Sequence, residues 1–137
     1  MSGDTQRPQG RSPAQDVPAP GLSRTASLAA LRAAGEATRL RILALLAGGE
    51  LNVKDLTQIL GQSQPRISRH LKLMAEAGLI KRFREGSWVF FRLADLGAEA
   101  ALAGAIVASL DQTDLILAHD RARACAVLNN SDHALSV

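Results

Sequence analysis

One cysteine, no tyrosine and only 3% aromatic residues are the first constraints on this chain. A lone thiol, Cys125, excludes an intramolecular disulfide and any single-chain site that needs two thiolates, and it suits a reducing cytoplasm, the expected location. It is expected as a small helix-face residue and not a reactive group, since no basic cluster surrounds it. No apolar run is long enough to span a bilayer, and the N-terminus lacks the apolar core of a secretory signal, so no membrane partner is expected. Asp4 and Asp16 argue against a transit peptide. No nucleophile–base pair or carboxylate dyad stands out, so an enzyme is not expected and no cofactor is implied.

Apolar residues make up 47% of the 137 residues, much of that alanine. That composition suits close-packed helices better than a sandwich or barrel. The length suits one domain, and the expected fold class is mainly α with a β-hairpin.

Net charge is only +3, but it is unevenly spread. Residues 61–92 hold seven basic side chains (Arg66, Arg69, Lys72, Lys81, Arg82, Arg84, Arg92) against two acids, Glu76 and Glu85. Residues 93–137 hold two basic residues against six acids. Nucleic acid responds to a local patch of potential, and the first segment is built to meet phosphate.

Residues 1–22 carry Pro8, Pro13, Pro18 and Pro20 among polar residues and glycines, a composition that cannot offset ordering entropy. They are expected to form a disordered arm, followed by a folded unit over 23–128 and a patternless tail over 129–137. Within the unit, Ala26, Leu28, Leu31 and Ala34 mark a first helix that Gly35 breaks. A second helix follows from about Glu36 to Ala47, with Leu40, Leu43, Leu46 and Ala47 on one face and Arg39 and Arg41 off it. Val53, Leu56, Ile59 and Leu60 predict a short third helix, and Gly61 supplies a turn. Ser63 then fits an N-cap, with Pro65 tolerated in the first turn, for a helix running to about Ala77 and closed by Gly78. Two short helices joined by a tight turn form a helix-turn-helix. The runs Leu79–Arg84 and Trp88–Leu93, separated by Glu85-Gly86-Ser87, predict a β-hairpin, and packing is expected of Phe83, Trp88, Phe90 and Phe91. From Leu96 onward Leu102, Ile106 and Leu110 mark a long apolar helix, and Leu115, Ala118, His119 and Ala122 the face of another. With the core closed by earlier elements, that stripe calls for a second copy of the chain.

The fourth helix carries the chemistry. Ile67, Leu71 and Met74 define its buried ridge, so Pro65, Ser68, Arg69 and Lys72 stand opposite, with Gln64 and Arg66 beside its N-terminus. That ridge offers amide, hydroxyl and cationic donors, the groups that major-groove edges and phosphates call for. Arg69 suits guanine and Gln64 adenine, whereas Ser63, Ser68 and Lys72 suit backbone phosphate. Arg82, Arg84 and Ser87 in the hairpin complete the expected contacts to double-stranded DNA.

The segments Glu50–Leu56, Ser63–Lys72 and Ala77–Ile80, with Trp88–Leu93 as a wing strand, resemble the ArsR/SmtB family of bacterial winged-helix regulators over about residues 28–110. The resemblance implies a dimeric winged helix-turn-helix, joined through first and last helices and here through Leu28, Leu31, Leu102, Ile106 and Leu110. It also implies a repressor that an effector releases. A histidine at the position of His70 is usual in that family; beside the buried ridge it is expected to be hydrogen-bonded and not a metal ligand. Metal-sensing members place two cysteines where Asn52 and Lys54 stand, and an amide and an ammonium cannot replace two thiolates. Asp111, Asp114, His119 and Asp120 do not match the family's second metal pattern, and the aspartates there are expected as helix caps. No metal site is therefore expected. The stretch from Leu110 through Ala124 is similar to the connector of members fused to a methyltransferase, pointing to a small organic effector. The competing reading is a protein-interaction module built on a degenerate winged helix.

Overall fold

The structure, a computed structural model, describes residues 21–136, with side chains through residue 130. Residues 1–20 of the expected arm lie outside the described residues.

Helix α1 spans Arg24–Ala34, and Ser23 caps it by accepting a hydrogen bond from the Ala26 N–H at 3.0 Å. Its alanines turn inward: Ala30, Ala33 and Ala34 are buried. Leu28 and Leu31 stay 48% and 53% exposed. Helix α2, Ala37–Ala47, buries Thr38, Ile42, Leu43, Leu45 and Leu46. Ala47, expected on the inner face, is exposed, because α2 is covered on two sides and its buried arc is centred on Ile42.

A two-residue strand β1, Leu51–Asn52, leads directly into α3, Val53–Leu60. Asn52 caps α3, and Asp55 answers with its own side chain toward the Asn52 N–H, a reciprocal box that satisfies two orphan amide donors. Gly61 closes α3 in the left-handed conformation, φ 66°, and donates to the Thr57 carbonyl. Helix α4 then runs Gln64–Glu76 with Ser63 at its cap and Pro65 in its first turn. At its end Gly78, φ 83°, donates to the Ala75 carbonyl and Leu79 to Met74, the paired bonds of a Schellman motif. A Cβ on Gly78 would meet Glu99 Cγ at 2.8 Å, so a side chain here would displace Glu99 as well as strain the backbone at this φ.

Strands β2, Ile80–Glu85, and β3, Trp88–Leu93, pair antiparallel across a two-residue turn, Gly86-Ser87. The sheet order is β1-β3-β2, with Leu51 opposite Phe91. That first strand is a finding beyond the predicted hairpin. Its two residues are too few for alternation to show.

Helix α5, Gly97–Ala108, packs on α2 and β3, and α6, Leu115–Ser136, packs on α2 and α3. One correction to the sequence reading follows from this packing. Ala103 of α5 is fully buried, and Leu102 and Ile106 are partly buried against the core. They therefore have a partner within the chain, and Leu110 is half-buried beyond the helix. In α6 the inward face is Leu117, Asp120, Ala124 and Val127, whereas Leu115, on the face expected to meet a second copy, is 85% exposed and His119 is exposed. The backbone of α6 is helical through Ser136, past the point at Leu128 where the apolar pattern ends.

The core gathers Ile42, Leu43, Leu56, Ile59, Ile67, Leu71, Met74 and Leu79, each under 2% exposed or at that limit. Truncating any of these leucines to alanine costs about 2–5 kcal/mol, the transfer and cavity terms together. Their role here is to hold α4 and the hairpin in fixed relation.

Candidate nucleic-acid interface

Helix α4 is presented edge-on by its buried ridge. With Ile67, Leu71 and Met74 inside, Gln64, Pro65, Arg66, Arg69 and Lys72 are exposed, as is the cap Ser63. Ser68 is half-buried, and its hydroxyl accepts a hydrogen bond from Gln64 Nε2 at 2.8 Å. The two polar groups expected to act separately are thus joined at i and i+4. The free N-terminal end of the helix carries Ser63, whose hydroxyl accepts from the Arg66 N–H only at 3.4 Å.

The hairpin stands beside this row. Alternation along β2 puts Ile80, Arg82 and Arg84 on one face, and their cross-strand partners are Leu93, Phe91 and Val89. Phe91 is in the core, and Val89 and Leu93 pack against it, so this is the face that looks toward α4. Arg82 and Arg84 continue that face beyond the edge of the core and are exposed. A cleft of about 400 Å³ separates helix from hairpin, with Ser68 and Lys72 on one wall and Arg82 on the other. Two cations, Lys72 and Arg82, and one carboxylate, Glu76, border this strip, which leaves it with an excess of one positive charge. Ser87 is exposed in the hairpin turn.

On the opposite face of the hairpin Phe83 and Phe90 stack with ring centroids 5.9 Å apart, and the Arg92 guanidinium lies 5.0 Å from the Phe83 centroid. Arg92 also approaches Glu50 at 3.8 Å and Asp95 at 3.5 Å. This arginine belongs to the base of the hairpin and not to the cationic strip. Three of the four aromatics pack as expected, while Trp88 remains 55% exposed next to the turn.

His70 lies behind the exposed row. Its Nδ1 accepts a hydrogen bond from Arg39 Nη1 at 3.1 Å, which calls for a neutral ring at that nitrogen. Burial pushes its pKa below the ordinary value; the Glu36 charge opposes this, and the Arg39, Arg66 and Arg69 charges add to it. Arg39, placed off the apolar face by the sequence, is in fact the link between α2 and α4.

The back of the helix-turn-helix is held by residues that local patterns do not expose. Arg41 donates through Nε and Nη2 to both carboxylate oxygens of Asp120, each at 2.8 Å. Asp120 is therefore an ion-pair partner and not a helix cap, and the Arg41 pKa is raised by that hydrogen-bonded carboxylate. Arg123 donates to the Ile59 and Gln58 carbonyls, the unsatisfied acceptors at the C-terminal end of α3. Asp114 does act as a cap, accepting from the Ile116 and Leu117 N–H groups. Asp111 accepts from the hydroxyl and backbone N–H of Thr113, which lowers its pKa. A stripe of Leu117, Asp120, Ala124 and Val127 has helical spacing, but the charged member hides it from a search for apolar residues. At the positions where thiolates were weighed, Asn52 caps α3 and Lys54 is exposed.

The family described as "Bacterial regulatory protein, arsR family" matches residues 36–82, from the cap of α2 into β2. The chain is 54% identical over 57 residues to the arsenical resistance operon repressor of Escherichia coli K12, a match covering 41% of this chain and 49%, about half, of that protein. It is 42% identical over 65 residues to an HTH-type transcriptional regulator of Methanocaldococcus jannaschii, covering 47% of this chain and 73% of the relative. Among solved structures it resembles the homodimeric winged helix-turn-helix DNA-binding domain of a Mycobacterium bovis protein, with TM-score 0.56 and 27% identity over 64% of this chain and 81% of that one. With helix-turn-helix, wing and these relatives in agreement, the chain belongs to the arsR family of bacterial regulatory proteins.

Proposed function

We propose that this protein is a cytoplasmic, homodimeric repressor that reads double-stranded DNA through α4 and the hairpin and is released by a small metabolite. The observation that carries the reading is the exposed row of α4, Gln64, Arg66, Arg69 and Lys72, with Lys72 and Ser68 facing Arg82 across the cleft and the core directly behind. Arg69 is the base-reading residue, because an exposed guanidinium in mid-helix offers the two-pronged donor geometry that guanine accepts. Gln64, tied to Ser68, presents its remaining groups to adenine. Ser63, Pro65, Arg66, Ser68 and Lys72 border or contact the backbone, and Arg82, Arg84 and Ser87 carry the wing along the neighbouring phosphates.

The dimer is assigned to α1 and α5. Leu28 and Leu31 are large apolar side chains left in water, and α5 exposes Ala101, Gly104, Ala105 and Ala108, over which another helix can approach closely. Leu102 and Ile106 support that surface from within, and Leu110 borders it. The homodimeric state of the Mycobacterium bovis domain supports this assignment. The donor set supports an organic effector over a metal: Asn52 is spent as a cap, Lys54 is an ammonium, and Asp120 is engaged by Arg41.

The test is fluorescence anisotropy of DNA from upstream of the protein's own gene against a scrambled duplex, over a salt series. Affinity that falls steeply with salt and favours the upstream sequence is expected. Binding that is absent, or indifferent to salt, would leave the competing protein-interaction module.

A further inference from the structure

Helix α2 turns its smallest residues toward α6. Ala44, Ala47 and Gly48 recur at i, i+3 and i+4, so the two helices cannot fill the space between them, and two adjoining hollows of about 230 and 240 Å³ remain. Ala44, Leu45, Gly48 and Arg121 wall both of them. Each is slightly smaller than a usual small-molecule site, and joined they reach that size. The first hollow also contains Arg41 and Asp120, and its apolar walls are Leu45, Val107 and Leu117.

The charges in this hollow do not cancel. Asp120 is saturated by Arg41, which uses Nε and Nη2 and keeps Nη1 unspent in that pair. Arg121 donates to the side-chain and backbone oxygens of Gln112, both neutral, and among the described residues no carboxylate lies within ion-pair distance of it. In the first hollow two guanidiniums face one carboxylate, which leaves room for one further negative charge; Glu50, on the wall of the second hollow, is turned to Arg92 at 3.8 Å.

We propose that these joined hollows are the effector site, and that the effector is a small organic monocarboxylate whose carboxyl group meets Arg121 and Arg41 while its apolar body lies on Leu45, Val107 and Leu117. The inference rests on the reading of the chain as an effector-controlled DNA-binding regulator. The route to DNA is short. The turns of α6 that wall the site also carry Arg123, which holds the end of α3, and α3 is the first helix of the helix-turn-helix. A ligand that shifts α6 therefore shifts the support on which α4 is presented, and its effect on operator affinity equals its differential affinity for the two placements.

The experiment uses the full chain, labelled with nitrogen-15, and the probes hexanoate and benzoate, with hexylamine and benzylamine as cations on the same apolar bodies. Saturable shifts of the 44–48 and 117–125 amides are expected with the carboxylates and not with the amines. Arg121→Ala is expected to weaken the probe about tenfold or more, the loss of a charge-assisted bond. Ala44→Leu, which fills the hollow and keeps every charge, is expected to abolish the shifts. Saturating probe is expected to change operator affinity in the parent chain. The site is overturned if neither carboxylate gives saturable shifts, if the amines act equally, or if Arg121→Ala binds the probe unchanged. Saturable binding with constant operator affinity overturns the coupling through α6. Failure of operator binding before any probe is added is a failure of the functional reading alone.

Discussion

Replacing Arg41 by alanine removes both hydrogen bonds that reach Asp120, whose side chain is only 2% exposed against 25% for the arginine. A buried carboxylate left without its partner costs about 3–5 kcal/mol, far more than the roughly 0–1 kcal/mol of an exposed pair. For a domain of this size each kcal/mol moves the melting midpoint by roughly 2–8 °C, so a drop of about 6 °C or more is expected. The companion double variant, Arg41→Met with Asp120→Leu, removes both charges and keeps volume, and it should lie within about 1–2 kcal/mol of the parent. Urea unfolding at fixed protein concentration measures both, and the fixed concentration matters because a dimer's stability depends on it. Hydrogen exchange then localises the loss, with the 117–127 amides losing protection before those of Ile67–Met74, since α6 is the element whose anchor has gone. A cost for Arg41→Ala below about 1 kcal/mol, with α6 protection unchanged, would refute the claim that this pair anchors the helix.

Leu31→Glu, at a position 53% exposed within one protomer, should give monomers by sedimentation without unfolding them; an unchanged dimer mass would remove α1 from the interface. Ile106→Glu should instead lower stability, because Ile106 packs against the core, and a melting midpoint equal to the parent's would contradict that placement. Arg82→Glu and Arg84→Glu should weaken DNA binding chiefly at low salt and flatten the salt dependence, which anisotropy reads directly; an unaltered slope would take the wing out of the complex. His70, with its folded-state pKa below the ordinary 6.5, binds a proton less readily folded than unfolded. Stability should therefore fall as pH drops through 6.5 toward that lower value and be unaffected above it, and His70→Gln should flatten this part of the profile. An NMR titration of His70 with a midpoint above 6.5 would contradict both.

Much of the helix-turn-helix and hairpin was legible because the signals there are local. The ridge Ile67, Leu71, Met74 repeats within one helix, Gly61 and Gly78 mark turns that need positive φ, and two runs rich in β-branched and aromatic residues announce the hairpin. The support behind it was not legible in the same way. Arg41 and Asp120 are 79 residues apart, and Arg123 and Ile59 are 64 apart, so no periodicity connects them. The apolar α5 stripe was read as an exposed seam because the core seemed closed without it, yet α2 is buried through a wide arc that needs α5 and α6 as its cover. On α1 the core contact is made by Ala30, Ala33 and Ala34, of which the sequence pattern marks only Ala34. Small residues pack well precisely where helices approach closely, and they carry little weight in a hydrophobic pattern.

Base reading by the outer row of α4 is measured most directly by the affinity of Arg69→Ala and Lys72→Ala for an operator and for a random duplex at one salt concentration. Arg69→Ala should lose about 1–3 kcal/mol on the operator and much less on random DNA, whereas Lys72→Ala should lose equally on both, as a phosphate contact does. Quenching of Trp88, the one tryptophan and an exposed side chain of the wing, gives an independent binding signal in each titration. Equal losses on both duplexes for Arg69→Ala, or no loss for either variant, would contradict the assignment of α4 as the base-reading element.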